Sequence, residues 1–165
     1  MSDTGWKSPG TVVSDDSVGT RAWSNPNNAK VSDNSYASFS TTALVNSEYL
    51  RGSSFGFSVP SNATIDGIEV SYEDKFGFTG DSGNLAGEIK LSLFGSGGAL
   101  GNAKYSEFIY QVDTVQTLGG SEDTWGATLT PEDVNNSSFG AAYYVEGANG
   151  DFLEFFVDHI QIKVY

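Results

Sequence analysis

The chain has 165 residues, about one domain's worth by length, with 13% aromatic residues, 20 glycines and no cysteine. That composition excludes a disordered tail, a disulfide framework and any metal site built on thiols or several histidines. Its 8 Lys and Arg against 21 Asp and Glu give a formal charge of −13, which argues against nucleic acid and anionic membranes as partners and keeps a protein dispersed.

Residues 1–10 read as an irregular arm with Trp6 as its one large anchor, ahead of a single domain over 11–165. Thr11-Val12-Val13 is a short strand that ends in the acidic turn Asp15-Asp16. Trp23 to Ala29 is a loop, punctuated by Pro26 and three asparagines. Ser35 to Leu44 alternates weakly and is β-prone. The run from Phe55 to Val70 predicts a strand with Phe55, Phe57 and Val59 on one face, a corner at Pro60-Ser61-Asn62, and a second strand. Ile68, Val70 and Tyr72 share one face of that second strand, and Phe76 and Phe78 continue its phase.

Gly80 to Asn84 is a turn cluster, and Glu88 to Phe94 alternates with Ile89, Leu91 and Leu93 inward. Gly95 to Gly98 closes that strand. Phe108, Tyr110 and Val112 mark another, and Leu118 to Trp125 reads as a long turn. Thr130-Pro-Glu-Asp133 is the one helical signal: a capping Thr, a Pro at the first position and acids at the positive end of the dipole. Asn135-Asn136 stop it after one turn. Phe139 to Val145 is a strand and Gly147 to Gly150 a hairpin turn. In the last strand Leu153, Phe155 and Val157 share one phase, and Ile160, Ile162 and Val164 the other. A β-bulge near Asp158-His159 absorbs the slip, as would a first half covered on both faces. Eight or nine strands spaced by turns predict an all-β, antiparallel, jelly-roll-like β-sandwich with one short helical turn. Phe57, Val59, Ile68, Val70, Leu91 and Ile162 are the expected core.

Chemistry is sparse. His159 is the single histidine, it points away from the core in the phase of Gln161 and Lys163, and no nucleophile motif accompanies it. No pair of acids stands out as a glycosidase dyad, so no catalytic residue is assigned. No cofactor is assigned; calcium, bound by carboxylate and carbonyl oxygens, is compatible with Asp81 to Asn84 or Asp15-Asp16, although such turns form without metal. Trp23 and Trp125 lie beside predicted turns, where they either plug the ends of the sandwich or form a glycan-stacking platform. The amino terminus carries no signal-peptide pattern, and no window reaches membrane-spanning length.

Four blocks carry a family resemblance: Trp23-x-Asn-Pro-x-Asn-Ala29 with Ser32-Asp33 and Tyr36-Ala37; Phe55 to Val70; Leu118-Gly-Gly with Asp123-Thr-Trp-Gly126; and Asp158 to Val164. Together they resemble a β-sandwich module of tailed-bacteriophage virion proteins, found also in some bacterial surface proteins. The resemblance implies a non-enzymatic structural protein located in the virion, and the module's standing alone points to a capsid decoration (cement) protein. Its partners would be the major capsid protein or other virion proteins, and it would form a trimer or another small homo-oligomer. Trp6, Pro9 and His159 are the expected interface residues. The alternative is a carbohydrate- or host-receptor-binding β-sandwich domain that uses Trp23 and Trp125.

Overall fold

Alternating apolar and polar residues bury one side of each strand, and the chain answers that demand with two sheets packed face to face. The computed structural model describes residues 2–78, 86–106, 110–149 and 152–165. Its strands are β1 (Thr11–Asp15), β2 (Ala37–Thr41), β3 (Tyr49–Ser53), β4 (Ile68–Phe78), β5 (Ala86–Gly95), β6 (Gly98–Ser106), β7 (Thr114–Gly119), β8 (Gly140–Asn149) and β9 (Leu153–Val164). One sheet runs β1-β3-β8-β5-β6 and the other β2-β9-β4-β7, with every strand pairing antiparallel. With β1 set aside, the other eight strands take the nested order of a jelly roll, changing sheet at every step except the β5–β6 hairpin.

Ile89, Leu91 and Leu93 of β5 and Tyr143 and Val145 of β8 belong to one core with Ile68, Val70 and Tyr72 of β4 and Ile160, Ile162 and Val164 of β9. Of the six expected core residues, Phe57, Ile68, Val70, Leu91 and Ile162 are buried, and Val59 is partly so. The phase change in β9 is a bulge. Glu73 pairs with His159 and Asp74 with Val157, leaving Asp158 as the extra residue. Apolar side chains before and after it therefore reach the same core. Asp158 is itself buried, and its carboxylate accepts the backbone N–H groups of Asp33 (3.3 Å) and Asn34 (3.0 Å).

The helical signal becomes α1 (Pro131–Asn135). The Asp133 N–H donates to the Thr130 hydroxyl (3.2 Å) and the Thr130 N–H to the Asp133 carboxylate (2.9 Å), a capping box. A shorter 3-10 turn spans Pro26–Ala29.

Three expectations are corrected. Phe55 to Val59 alternates as predicted but joins no ladder. Phe55 and Phe57 are buried against the core, while the Asn135 amide both donates to and accepts from the Val59 backbone at 2.8 Å, in place of a neighbouring strand. Tyr110 and Val112 are exposed and lie outside any strand. The strands in that region are β6 and β7, whose edge positions need only one-sided, irregular burial. The hairpin expected at Gly147 is no hairpin, since β8 and β9 belong to different sheets; turn residues specify a reversal without specifying whether it stays within a sheet. The Gly80–Asn84 cluster, including the Asp81 to Asn84 calcium candidate, and Phe108 lie outside the described residues.

Candidate functional site

β2 pairs with β9 only over Leu153 to Val157. The rest of that edge is lined by the amino-terminal arm. Thr4 N–H donates to the Val164 carbonyl (3.0 Å), Lys7 N–H to Ile162 (2.8 Å), and Ile162 N–H back to Lys7 (3.0 Å). Lys7 stands opposite the inward-facing Ile162, so period-two alternation puts Trp6 and Ser8 on the outer face, with Gln161 and Lys163. The arm thus folds back on its own chain as an added edge. Trp6 stays 38% exposed, its ring centroid 4.5 Å from the Lys163 ammonium. Pro9 is buried in its own chain, against Gly52, whose missing side chain leaves the space.

Beside the arm, the outer face of the four-stranded sheet holds a groove of about 180 Å³, lined by Ser32, Ser71, Glu73, Val115, His159 and Gln161. Ser71 and Glu73 come from β4 and Gln161 from β9, so its floor is a hydrogen-bonded ladder. The His159 ring is fixed by Ser8, whose Oγ lies 2.8 Å from Nε2, and by a hydrogen bond to the Lys30 backbone. Burial holds its pKa below the ordinary histidine value, against the pull of the Glu73 and Asp158 carboxylates, so the ring is neutral at pH 7. The side chains of Ser71, Glu73 and Gln161 make no hydrogen bond or ion pair among the described residues. A half-enclosed space with converging, unspent donors and acceptors is the usual signature of a small-ligand site.

Beyond each end of the groove, further along β4 and β9, lies an aromatic and ionic cluster. At one end Lys163 pairs with Glu69 at 2.8 Å, the Tyr165 hydroxyl donates to the same carboxylate at 2.8 Å, and Trp6 covers Lys163. Although partial burial opposes it, Lys163 and Tyr165 hold the Glu69 carboxyl below the ordinary range. At the other end Lys75 bonds to Asp113 at 3.0 Å and to the Tyr36 hydroxyl at 2.7 Å, and lies 4.0 Å from the Tyr36 ring centroid. Phe156 packs edge-on against Tyr36. Lys75 follows Glu69 by six residue steps along β4, so the strip is about 20 Å long.

Directly after Glu73, Asp74 turns inward and is fully buried. Its carboxylate accepts from the Tyr143 hydroxyl (2.7 Å) and the Gln116 amide (3.3 Å). Burial pushes its pKa up to about 6.

The two loop tryptophans take the plug role and not the stacking role. Trp23 is 4% exposed, packs edge-on against Phe39 and Tyr143, and donates its indole N–H to the Glu48 carbonyl at 2.8 Å. Trp125 is 1% exposed and donates to the Ile68 carbonyl at 2.9 Å. Gly119, at φ +90°, makes room for that contact: a Cβ there would sit 2.1 Å from the same carbonyl. Of the sequence candidates, Trp6 and His159 come together on one face. The outward phase of β4 and β9 could have flagged Glu73 and Gln161. Tyr36, brought in from a loop, had no sequence signal. Asp15 is already engaged by Ser17 and Arg51, and among the described residues no three acidic or histidine side chains converge as a metal site.

No protein-family model matches the chain, and no curated protein does. Solved structures align with the chain at low identity. A structure described as "CBM4 structure and function" aligns over 98% of this chain and 95% of its own, at 10% identity and a TM-score of 0.48. The TmCBM61 module in complex with β-1,4-galactotriose aligns over 96% and 88%, at 14% identity and a TM-score of 0.44. A structure of infectious bursal disease virus aligns over 96% of this chain and 30% of its own, at 8% identity and a TM-score of 0.32.

Proposed function

We propose that this chain is a non-catalytic carbohydrate-binding module that holds a glycan along the outer face of its four-stranded sheet. The groove carries this reading: Ser71, Glu73 and Gln161 converge there with unused hydrogen-bonding capacity, between the Trp6 and Tyr36 clusters. A sugar offers hydroxyl groups around its rim and C–H groups on its faces, so it suits a polar floor with aromatic ends. A phosphate backbone suits it poorly, because Glu69 and Asp113 already neutralise the two flanking lysines. Glycoside hydrolysis uses two carboxyl groups across the scissile bond, and among the described residues lining the groove Glu73 is the one carboxylate. That supports binding without turnover.

Calorimetric titration of the intact chain with a panel of neutral oligosaccharides tests the reading. Binding should occur, and the Glu73→Ala/Gln161→Ala double variant should lose it at an unchanged melting temperature. If no glycan binds and the chain instead cosediments with phage capsids, the capsid-decoration role implied by the family resemblance replaces this one.

A further inference from the structure

A second, half-open cavity of about 330 Å³ lies between the arm, the corner at residues 58–65 and the end of the chain, within the roughly 300–1,000 Å³ of small-molecule sites. Val59, Pro60 and Ile65 give it an apolar wall, and Asp3 and Thr64 stand on its polar side. Tyr165 joins it to the groove face, because this residue lines the cavity while its hydroxyl reaches Glu69 at the Trp6 end of the strip.

We propose that this cavity is an end subsite that takes one N-acetylhexosamine residue of a glycan lying in the groove, an inference that rests on the function proposed above. A plain hexose offers apolar surface only as the C–H groups of its ring faces, which suit a flat aromatic ring better than a concave apolar wall. The methyl of an acetamide fills such a wall and leaves water in doing so. The acetamide N–H and the ring hydroxyls are donors, matched by the Asp3 carboxylate, and the Thr64 hydroxyl can donate to the acetyl carbonyl. Asp3 on the cavity, in a chain of net charge −13, repels carboxylated sugars such as sialic or uronic acids.

The test compares N-acetylglucosamine, glucosamine, glucose and N-acetylneuraminic acid, singly and as the end residue of a common neutral oligosaccharide, by NMR titration of the methyl-labelled full chain. N-acetylglucosamine should bind about tenfold tighter than glucose, the scale of one buried methyl plus one hydrogen bond. Its acetyl methyl should show nuclear Overhauser contacts to the Val59 and Ile65 methyl groups. Thr64→Trp, at an exposed position on the cavity, should abolish the preference while the neutral oligosaccharide still binds. Asp3→Ala should weaken it with the melting temperature unchanged. Equal binding of glucose, tighter binding of glucosamine, binding of the sialic acid, or a preference that survives Thr64→Trp would each overturn the proposal. Acetyl contacts to Val115 in place of Val59 would move the sugar into the groove, overturning the cavity assignment and leaving the proposed function intact. Loss of all glycan binding would end both.

Discussion

The two outer faces of the sandwich are built from similar residues and put them to different use. On the five-stranded sheet, Tyr49 packs against Phe94 (5.0 Å between centroids) and Tyr144 (5.4 Å), with Arg51 lying 4.8 Å from the Phe94 ring. Lys90 lies 5.5 Å from the Tyr105 ring and 5.8 Å from Tyr144. Phe94 and Tyr144 are buried under their neighbours. That face is a satellite core. The four-stranded face has its aromatic rings at the two ends, and between them Ser71, Glu73 and Gln161, whose side chains make no hydrogen bond among the described residues. Aromatic richness alone therefore does not mark a ligand face. The proposed ligand face rests on unspent hydrogen-bonding capacity held on a rigid floor.

Mutations should separate the two faces. Phe94→Ala should cost about 3–5 kcal/mol in a denaturant melt, as for other buried aromatics, with glycan affinity intact. An affinity loss at unchanged stability would transfer the binding site to the five-stranded face. The next effect concerns the inner side of the groove's own strand. Because the folded-state pKa of Asp74 is raised to about 6 from 3.8, its stabilising contribution is complete below pH 4 and lost as pH rises through 6. Asp74→Asn should gain on wild type between pH 4 and pH 7.5, by up to about 3 kcal/mol. A difference that stays flat across that range would show that Asp74 does not titrate there.

Smaller again is Gln161→Ala, expected to lower glycan affinity by the roughly 1–3 kcal/mol of a hydrogen bond in an enclosed site, with no shift in melting temperature. Trp6→Ala should weaken binding by about 0.5–1.5 kcal/mol, visible by calorimetry. Lys75→Met breaks an ion pair in which both partners are about a quarter exposed, so the change in stability should stay below about 1 kcal/mol.

Much of this architecture is legible in the sequence because period-two burial is a local signal. The phase break between Val157 and Ile160 located the bulge at Asp158, and Thr130 with Asp133 located the capped turn. What is not legible comes from elements that local periodicity leaves undetermined. β6 and β7 form sheet edges, where one neighbour and one buried side suffice, so their alternation fades. Phe55 to Val59 shows the reverse: it alternates like a strand, yet its backbone is satisfied by the Asn135 side chain. The site was half visible. His159, Gln161 and Lys163 share an outward phase that the sequence displays. Tyr36 and Ser8 reach that face only through contacts 39 and 151 residues away in sequence, and no window of sequence contains them. Trp23 and Trp125 stayed open between plug and stacking roles, because a tryptophan beside a turn has the same sequence context whether it faces solvent or the core.

The arm along β9 has a consequence for solubility. Without residues 4–8, the backbone of β9 around Ile162 and Val164 would present unpaired N–H and C=O groups, on a segment whose other side chains are Ile160, Ile162 and Val164. An apolar, alternating, uncovered edge is a template on which another copy can add a strand and continue the sheet. The arm acts as a gatekeeper that occupies this template in the monomer. A protease that trims the amino terminus would therefore convert a dispersed, highly charged protein into one prone to edge-to-edge aggregation.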